Sequence, residues 1–427
     1  MNGLTNVSRR STQLLRRSLH TSAALRDAAP AGQTLRRTGL YDLHKENGAT
    51  MVGFAGFDMP LKYEGSTPVE SHHHVRKEAG LFDVGHMVQS MFRGPTAAQF
   101  LEHLTPSSLA TGLKPYQSTL SVLLNPTGGI IDDTVITKHT ESSFYVVTNA
   151  GRRDVDLPWF EQKLKEWNTT ELAKKEGGVE MEVMEDWGLV ALQGPKAAAH
   201  LQSLTSHDLT TIPFGRSAFI SVSSSSSSSA ADTHLLHVAR GGYTGEDGFE
   251  ISLPPSTTTL LTQLLLSSSP TVQLAGLAAR DSLRLEAGMC LYGNDLDETT
   301  SPVEAGLSWV IGKERRSEGA GFVGESEILR QLKEGVERRR VGVVSEGAPA
   351  RQGAKLVDLK TEEEIGTITS GIPSPTLGKN VAMGYINART HEGLHRKGSE
   401  VGVVVRGKMR KGVVTPMPFV KPNYFRG

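Results

Sequence analysis

The sequence predicts an α+β fold that ends in a small all-β barrel or sandwich. Three observations carry this expectation. Helical and strand-like segments intermix without the strict alternation that a doubly wound sheet requires. After about residue 335, short β-rich runs follow one another at roughly ten-residue spacing, punctuated by Gly and Pro. A chain of 427 residues is also long enough for two or three domains of about 100 to 200 residues, with a sizeable core.

Taken in chain order, apolar residues recur at helical spacing in PVESHHHVRKEAGLF (Val69, Val75, Ala79), PTAAQFLEHL (Ala97, Leu101, Leu104) and DVDLPWFEQKLKEW (Leu157, Phe160, Leu164, Trp167). Strand-like runs lie between and after them: STLSVLL, IIDDTVIT, FYVVTNA, WGLVALQG, AFISV, HLLHVAR and FEISL. The serine run Ser223–Ser229 separates two of these strands; it cannot pack a core and reads as a hairpin-tip insertion. KERRSEGAGFVGESEILRQLKEG starts charged and Gly-bearing, then turns helical, and reads as the connection to the last domain. RRVGVV, AKLVD, EIGTITSG, VAMGYIN, EVGVVVRG and GVVTPMPF are the expected barrel strands.

Charge is unevenly spread. Residues 1–26 hold Arg9, Arg10, Arg16, Arg17 and Arg26, many Ser and Thr, and no acid, the pattern of a mitochondrial transit peptide. RSLHTSAALR resembles a two-step processing site, which sets the mature start near Asp27. Without those five arginines, 41 basic residues face 46 acidic ones, a net charge of −5. That balance argues against a nucleic-acid enzyme, which carries a basic footprint. No 18-residue apolar run offers a membrane span. A single cysteine, Cys290, excludes an intrachain disulfide and a Cys-based zinc site, and it reads as a small buried hydrophobe.

The stretch NPTGGIIDD (125–133) sets two carboxylates on an apolar strand, although an unpaired buried carboxylate is costly. Strand alternation sends Asp132 and Asp133 to opposite faces, one solvated or capping and the other free for chemistry; alternation alone does not say which. GGYTGEDGFEIS (241–252) is Gly-rich, but Glu246, Asp247 and Glu250 would repel a phosphate; a hairpin turn is the plain reading. An ionised Glu250 at a ligand edge would accept two parallel hydrogen bonds. Arg280 and Arg284, four residues apart, share a helix face suited to a carboxylate ligand or to surface ion pairs. His72, His73 and His74 diverge by about 100 degrees each on a helix and cannot converge on one metal ion. His86 sits near a turn in FDVGHM and reads as structural. No Ser-His-Asp or Walker pattern appears.

Together these segments are more specific than any one of them. LFDVGHM, NPTGGIIDD, YVVTNAG, LQGP, GGYTGEDGFEI, GLAARDSLRLEAGMCLYGNDLDE, TSGIPSPTLGKNVAMGY and PFVKPNYF resemble, in order and spacing, the T-protein family of the glycine cleavage system, from about Thr38 to the C-terminus. The resemblance implies a three-lobed aminomethyltransferase fold: two interleaved α+β lobes over 35–312 and a C-terminal β-barrel over 335–427. It implies transfer of a methylene carbon from the aminomethyl-lipoyl arm of H protein to tetrahydrofolate, in the mitochondrial matrix. The other component enzymes of the system are implied partners, and no metal or bound nucleotide is needed. Carried over by position, the catalytic residue is Asp133, the pterin-binding carboxylate Glu250, the folate-contacting arginine Arg280, and the C-terminal contact Tyr424. Met87, Asn149 and Tyr243 fall in matching motifs as pocket residues.

The implied chemistry suits these residue types. A pterin offers a ring N–H beside an exocyclic amine, a donor pair that Glu matches, and folate ends in carboxylates that Arg can receive. Positive charge developing on the transferred carbon calls for a fixed carboxylate. Some positions depart from the family pattern: Gly85 stands where DVSHM has Ser, Phe57 and Asp58 replace a usual Trp and a small or apolar residue, and the serine run is extra. A non-catalytic folate-binding scaffold of the iron-sulfur assembly type is the alternative, but such proteins carry KGCYxGQE where this chain has EAGMCLYGNDLDE. A dimethylglycine or sarcosine dehydrogenase half would need a fused flavin domain with GxGxxG, and no such motif is present.

Overall fold

The computed structural model describes residues 34–223 and 234–427. The basic leader over 1–26 and all but the first residue of the serine run lie outside the described residues. The described chain makes two large open sheets, a two-stranded sheet of Ala49–Phe54 and Phe57–Tyr63, and a closed barrel. One sheet has five strands in the order Gln117–Leu124, Ile130–Thr140, Ser143–Thr148, Val88–Arg93, Glu180–Val183. The other has six: Ser217–Val222, His234–Arg240, Gly248–Leu253, Gly188–Gln193, Ala79–Asp83, Val272–Leu274. In both, three consecutive antiparallel strands return beside an earlier one, and that earlier strand runs into a Gly-Pro turn and a helix. MFRGPTAAQFL and ALQGPKAAAHL are thus the same strand–turn–helix unit used twice.

The lobes interleave because Ala79–Asp83 belongs to the second sheet although it precedes the whole first sheet in sequence. Each sheet buries its own apolar set. Phe92, Phe100, Phe144 and Phe160 fill the first, and Leu192, Val238, Phe249 and Ile251 the second. The expected helices form at Pro68–Lys77, Ala97–Leu104 and Arg153–Trp167, and the connector helix at Glu325–Glu334. The first starts on a capping box: Thr67 Oγ1 accepts from Glu70 N and the Glu70 side chain accepts from Thr67 N.

The all-β texture near the C-terminus is a closed six-stranded barrel running from Arg338–Ser345 to Lys408–Thr415. It is locked to the helix Leu277–Glu286 rather than tethered loosely. Arg284, buried, pairs with Asp281 and Asp295 and donates to Ser370 Oγ at 3.0 Å. Glu286, also buried, accepts from Arg76, Ser374 and Thr376, so one carboxylate joins the helix Pro68–Lys77, its own helix and a barrel turn. The surface-helix expectation for Arg280 and Arg284 is therefore corrected: Arg284 is a structural anchor. The three histidines do diverge, with His72 meeting Ser282 and Thr376 and His74 meeting the Thr271 carbonyl.

Candidate active site

The strand Ile130–Thr140 starts from a turn built by its own side chains. Asn125 Oδ1 accepts from Thr127 N at 3.0 Å and Gly129 N at 2.9 Å, while its Nδ2 donates to the Glu298 carbonyl at 2.9 Å. Gly128 takes a positive φ of +79°, and a Cβ on Gly129 would sit 1.8 Å from the Glu298 carbonyl oxygen. Ile130 is fixed on both sides, its N–H to Thr300 O at 3.0 Å and its carbonyl to Tyr292 Oη at 2.9 Å. The NPTGG segment is a rigid clamp against the loop 292–300, and it sets the depth at which the two aspartates emerge.

The aspartates face opposite sides, as alternation requires, but neither is a solvated residue. Asp132 is fully buried, which corrects the expectation that one of the pair is solvated or caps a turn. Asp133 is half-buried. Asn149, at the end of the neighbouring strand Ser143–Thr148, joins them. Its backbone N–H donates to Asp132 Oδ2 at 2.8 Å, and its Nδ2 donates to both Asp132 Oδ1 and Asp133 Oδ1 at 2.9 Å. Burial raises the Asp133 carboxyl to about 6; the Asn149 hydrogen bond opposes that shift and the Asp295 charge adds to it. Asp133 forms no ion pair among the described residues, so it is a carboxylate held by one amide and neutralised by no cation.

The GGYTGEDGFE segment sorts its three acids. Glu246 is buried against Arg76 at 3.0 Å, and Asp247 is buried against both ends of the Arg240 guanidinium, at 3.0 and 2.5 Å. Glu250 alone is left without a hydrogen-bonded cation; burial raises its carboxyl and the field of Arg280 opposes the rise. The Arg280 guanidinium lies 4.7 Å from the Tyr243 ring centroid, and its own ionisation is disfavoured by burial. The Tyr243 phenol is raised by burial; the Arg284 and Arg280 charges oppose that rise and the Asp133 charge adds to it. Its hydroxyl donates to the Cys290 carbonyl.

Asp83 shapes the turn that carries Met87. It accepts from Thr38, from His44 at 2.8 Å and from Gly85 N–H at 2.8 Å; burial works against its ionised form, but these partners hold it below the usual range. Met87 packs, partly buried, against the apolar cluster that includes Val84, Met91 and Tyr145. His86 is buried edge-on to Phe54 and Phe57, and burial drives its imidazole down to about 4. A Cβ at Gly85 would meet Asp83 Oδ1 at 3.1 Å, so the hydroxyl missing relative to the family pattern would lie against this anchor. Tyr424 lies in the C-terminal tail. Its ring stacks on Phe214 at 4.1 Å, and the tail is tied to the GGYTGED loop by Asn423 Nδ2 on Glu246 at 3.0 Å.

One residue escaped the sequence reading. Asp156, in the helix Arg153–Trp167, is fully buried and lies beside the Asp132 carboxyl. A signal was present: Asp156, Phe160 and Leu164 make one i, i+4, i+8 stripe, so an acid occupies a core position of an apolar face. Among the described residues no group of three or more His, Cys, Asp or Glu is arranged to hold a metal ion, and no helix is long and apolar enough to cross a membrane.

The sequence pattern of the GCVT N-terminal domain matches residues 40–315, and that of the glycine cleavage T-protein C-terminal barrel domain matches residues 338–421. The chain belongs to the glycine cleavage T-protein family. A protein named "Probable aminomethyltransferase, mitochondrial" from Schizosaccharomyces pombe is 47% identical over 415 residues, covering 96% of this chain and 100% of that protein. The mouse protein named "Aminomethyltransferase, mitochondrial" is 47% identical over 392 residues, 92% of this chain and 91% of its own length. The crystal structure of glycine cleavage system aminomethyltransferase T from Bartonella henselae superposes with a TM-score of 0.80 at 37% identity, over 92% of this chain and 100% of that one. The α+β fold with its terminal barrel is that of the T-protein family, as the resemblance implied.

Proposed function

We propose that this chain is the aminomethyltransferase of the glycine cleavage system. It takes the methylene carbon of the aminomethyl group on the lipoyl arm of H protein and delivers it to tetrahydrofolate, giving 5,10-methylenetetrahydrofolate. The S–C and C–N bonds break and two folate C–N bonds form, so the two folate N–H protons end on the dihydrolipoyl sulfur and on ammonia. Asp133 carries this reading: a pocket carboxylate with no cation of its own, raised to about 6 by burial, is ionised at neutral pH and available to a developing cation.

The roles follow from the two walls. Asp133 accepts a hydrogen bond from the reacting folate N–H, orients that nitrogen and stabilises the positive carbon, while Asn149 fixes the carboxylate. Glu250 pairs with the ring N–H and exocyclic amine of the pterin. Arg280, whose charge lies next to that of Glu250, meets the pterin carbonyl in preference to the distant glutamyl carboxylates. Tyr243 and Met87 supply the flat and soft apolar walls, and Tyr424 closes the rim from the C-terminal tail. The acid-free, five-arginine leader and the mitochondrial names of the relatives support a matrix location, where lipoylated H protein and the other component enzymes are the partners. Purified protein is mixed with aminomethylated lipoyl H protein, and ammonia is followed with and without tetrahydrofolate. Release at least tenfold faster with the folate is expected; equal rates would remove the assignment.

A further inference from the structure

Behind Asp133 lies a carboxyl pair that no cation neutralises by direct contact. Asp132 and Asp156 are both fully buried, one on the strand Ile130–Thr140 and the other on the helix Arg153–Trp167. Neither Asp156 oxygen has a hydrogen-bond partner of good geometry among the described protein groups; the Asp132 carboxyl and the Thr148 hydroxyl lie beside it, near enough to work against the rise that burial imposes. Arg152 reaches Asp156 only through its field, because its guanidinium is engaged by the Ile131 carbonyl at 2.9 Å and by Glu298. The other titratable groups that bear on the pair are Asp133 from the same strand and Tyr292 from the loop 292–300. Two carboxylates facing each other out of water cannot both be ionised, so such a pair retains a proton and titrates as a unit.

We propose that Asp156 and Asp132 share one proton at working pH, and that this hydrogen-bonded pair is the positioning device for the pocket carboxylate. A proton held between the two acids leaves the far side of Asp132 a pure acceptor. That side takes both the backbone N–H and the Nδ2 of Asn149. The amide can then point only one way, with its second N–H on Asp133 Oδ1. The chain Asp156, Asp132, Asn149, Asp133 therefore transmits the orientation of a buried acid to the residue assigned to the chemistry. Burial raises both members of the pair, Asp132 well above the ordinary carboxylate range and Asp156 to about 7, in keeping with a retained proton. Loss of that proton at higher pH sets two like charges behind Asp133 and gives the reaction an alkaline limb.

The proposal rests on the T-protein reading for its catalytic consequence but not for the proton itself, so two measurements are paired. Infrared difference spectra of the substrate-free protein, between wild type and Asp156→Asn, should show the C=O stretch of a protonated carboxylic acid at pH 7 that the variant lacks. Absence of that band in the wild type, or its persistence in the variant, overturns the shared proton whatever the substrate is. Asp156→Ala should lower kcat about 10- to 100-fold, as loss of a supporting hydrogen-bond partner does elsewhere, with KM for tetrahydrofolate changed less than about threefold. Asp156→Asn, whose amide N–H replaces the acid proton as donor, should recover most of that loss and abolish the alkaline limb. If Asp156→Asn and Asp156→Ala share one rate and one pH profile, the positioning role is wrong. Should Asp156→Ala fail to fold, the infrared band and the Asp156→Asn profile decide alone.

Discussion

Asp133→Asn separates catalysis from stability. The substitution keeps the shape of the side chain and an oxygen to accept from Asn149, which now reaches Asp133 at 2.9 Å, but it removes the negative charge. A unit charge about 4 Å from a developing cation, at an effective dielectric near 20, contributes about 4 kcal/mol. That corresponds to about a thousandfold in kcat, inside the range found for single electrostatic groups. In the proposed reading folate is held by Glu250 and Arg280 rather than by Asp133, so KM should move by less than about tenfold. Stability should change in the other direction. Burial raises the carboxyl from 3.8 to about 6, and about 1.4 kcal/mol per unit makes the buried charge cost up to about 3 kcal/mol at neutral pH. Because the folded pKa is the higher one, that cost is absent below pH 4 and complete above pH 6. The variant should therefore unfold at higher temperature than the wild type at pH 7, with the difference shrinking towards pH 4. In the wild type, kcat/KM should fall as pH drops through about 6. The assay is ammonia release from aminomethylated H protein, with thermal unfolding across the same pH range. A variant that is less stable at pH 7 would refute the buried-charge argument. Asp132→Asn should cost less activity, and an equal or larger loss there would refute the choice of Asp133.

Three further expectations test other parts of the structure. Glu250→Gln puts an amide donor against one of two pterin donors, at about 1.5–3 kcal/mol, so tetrahydrofolate binding by fluorescence titration should weaken roughly 10- to 100-fold while saturating kcat falls less. An unchanged affinity would take Glu250 out of the pterin site. Glu286, fully buried, is held down to about 2 because contacts from His72, Ser374 and Thr376 outweigh burial. Its folded pKa is the lower one, so its contribution of up to about 3 kcal/mol is present above pH 4.5 and lost as pH falls towards 2; Glu286→Gln should lower the Tm at pH 7 and flatten its acid slope in calorimetry. Gly129→Ala drives a methyl group into the Glu298 backbone, where no side chain can yield, and should cost about 1–3 kcal/mol or more in urea unfolding and most of the turnover.

The fold was legible wherever a periodic signal was local. The helices at Pro68–Lys77, Ala97–Leu104 and Arg153–Trp167 follow from apolar spacing, and the barrel from the rhythm of its short strands. What was not legible was which sheet a strand joins. Ala79–Asp83 is AGLFD, apolar throughout, and nothing in those five residues says that they pair with Gly188–Gln193, a hundred residues on, rather than with the strand that follows. That pairing is a property of the closed whole, reached only when the second lobe is present to supply Leu192 and Ala191 opposite Leu81 and Phe82. The duplicated Gly-Pro–helix unit could have announced it, since repeats imply repeated sheets.

The site was legible in its residue types but not in its connections, and the reason is physical. Alternation says correctly that adjacent aspartates on a strand cannot line one surface. It does not say what a third residue can do. Asn149 ends the neighbouring strand, where its side chain can reach past the edge and donate to both carboxylates at 2.9 Å, so two groups that point apart become parts of one hydrogen-bonded chain. An acid that looks redundant beside its neighbour Asp133 is then neither spare nor exposed. Asp132 is buried and accepts from Asn149, and on the shared-proton proposal Asp156 supplies the proton on its other side. The pair of carboxylates in IIDD is one pocket group and the first link of its support. That division of labour demands a buried acid on a separate element, and the helix stripe Asp156, Phe160, Leu164 provides it.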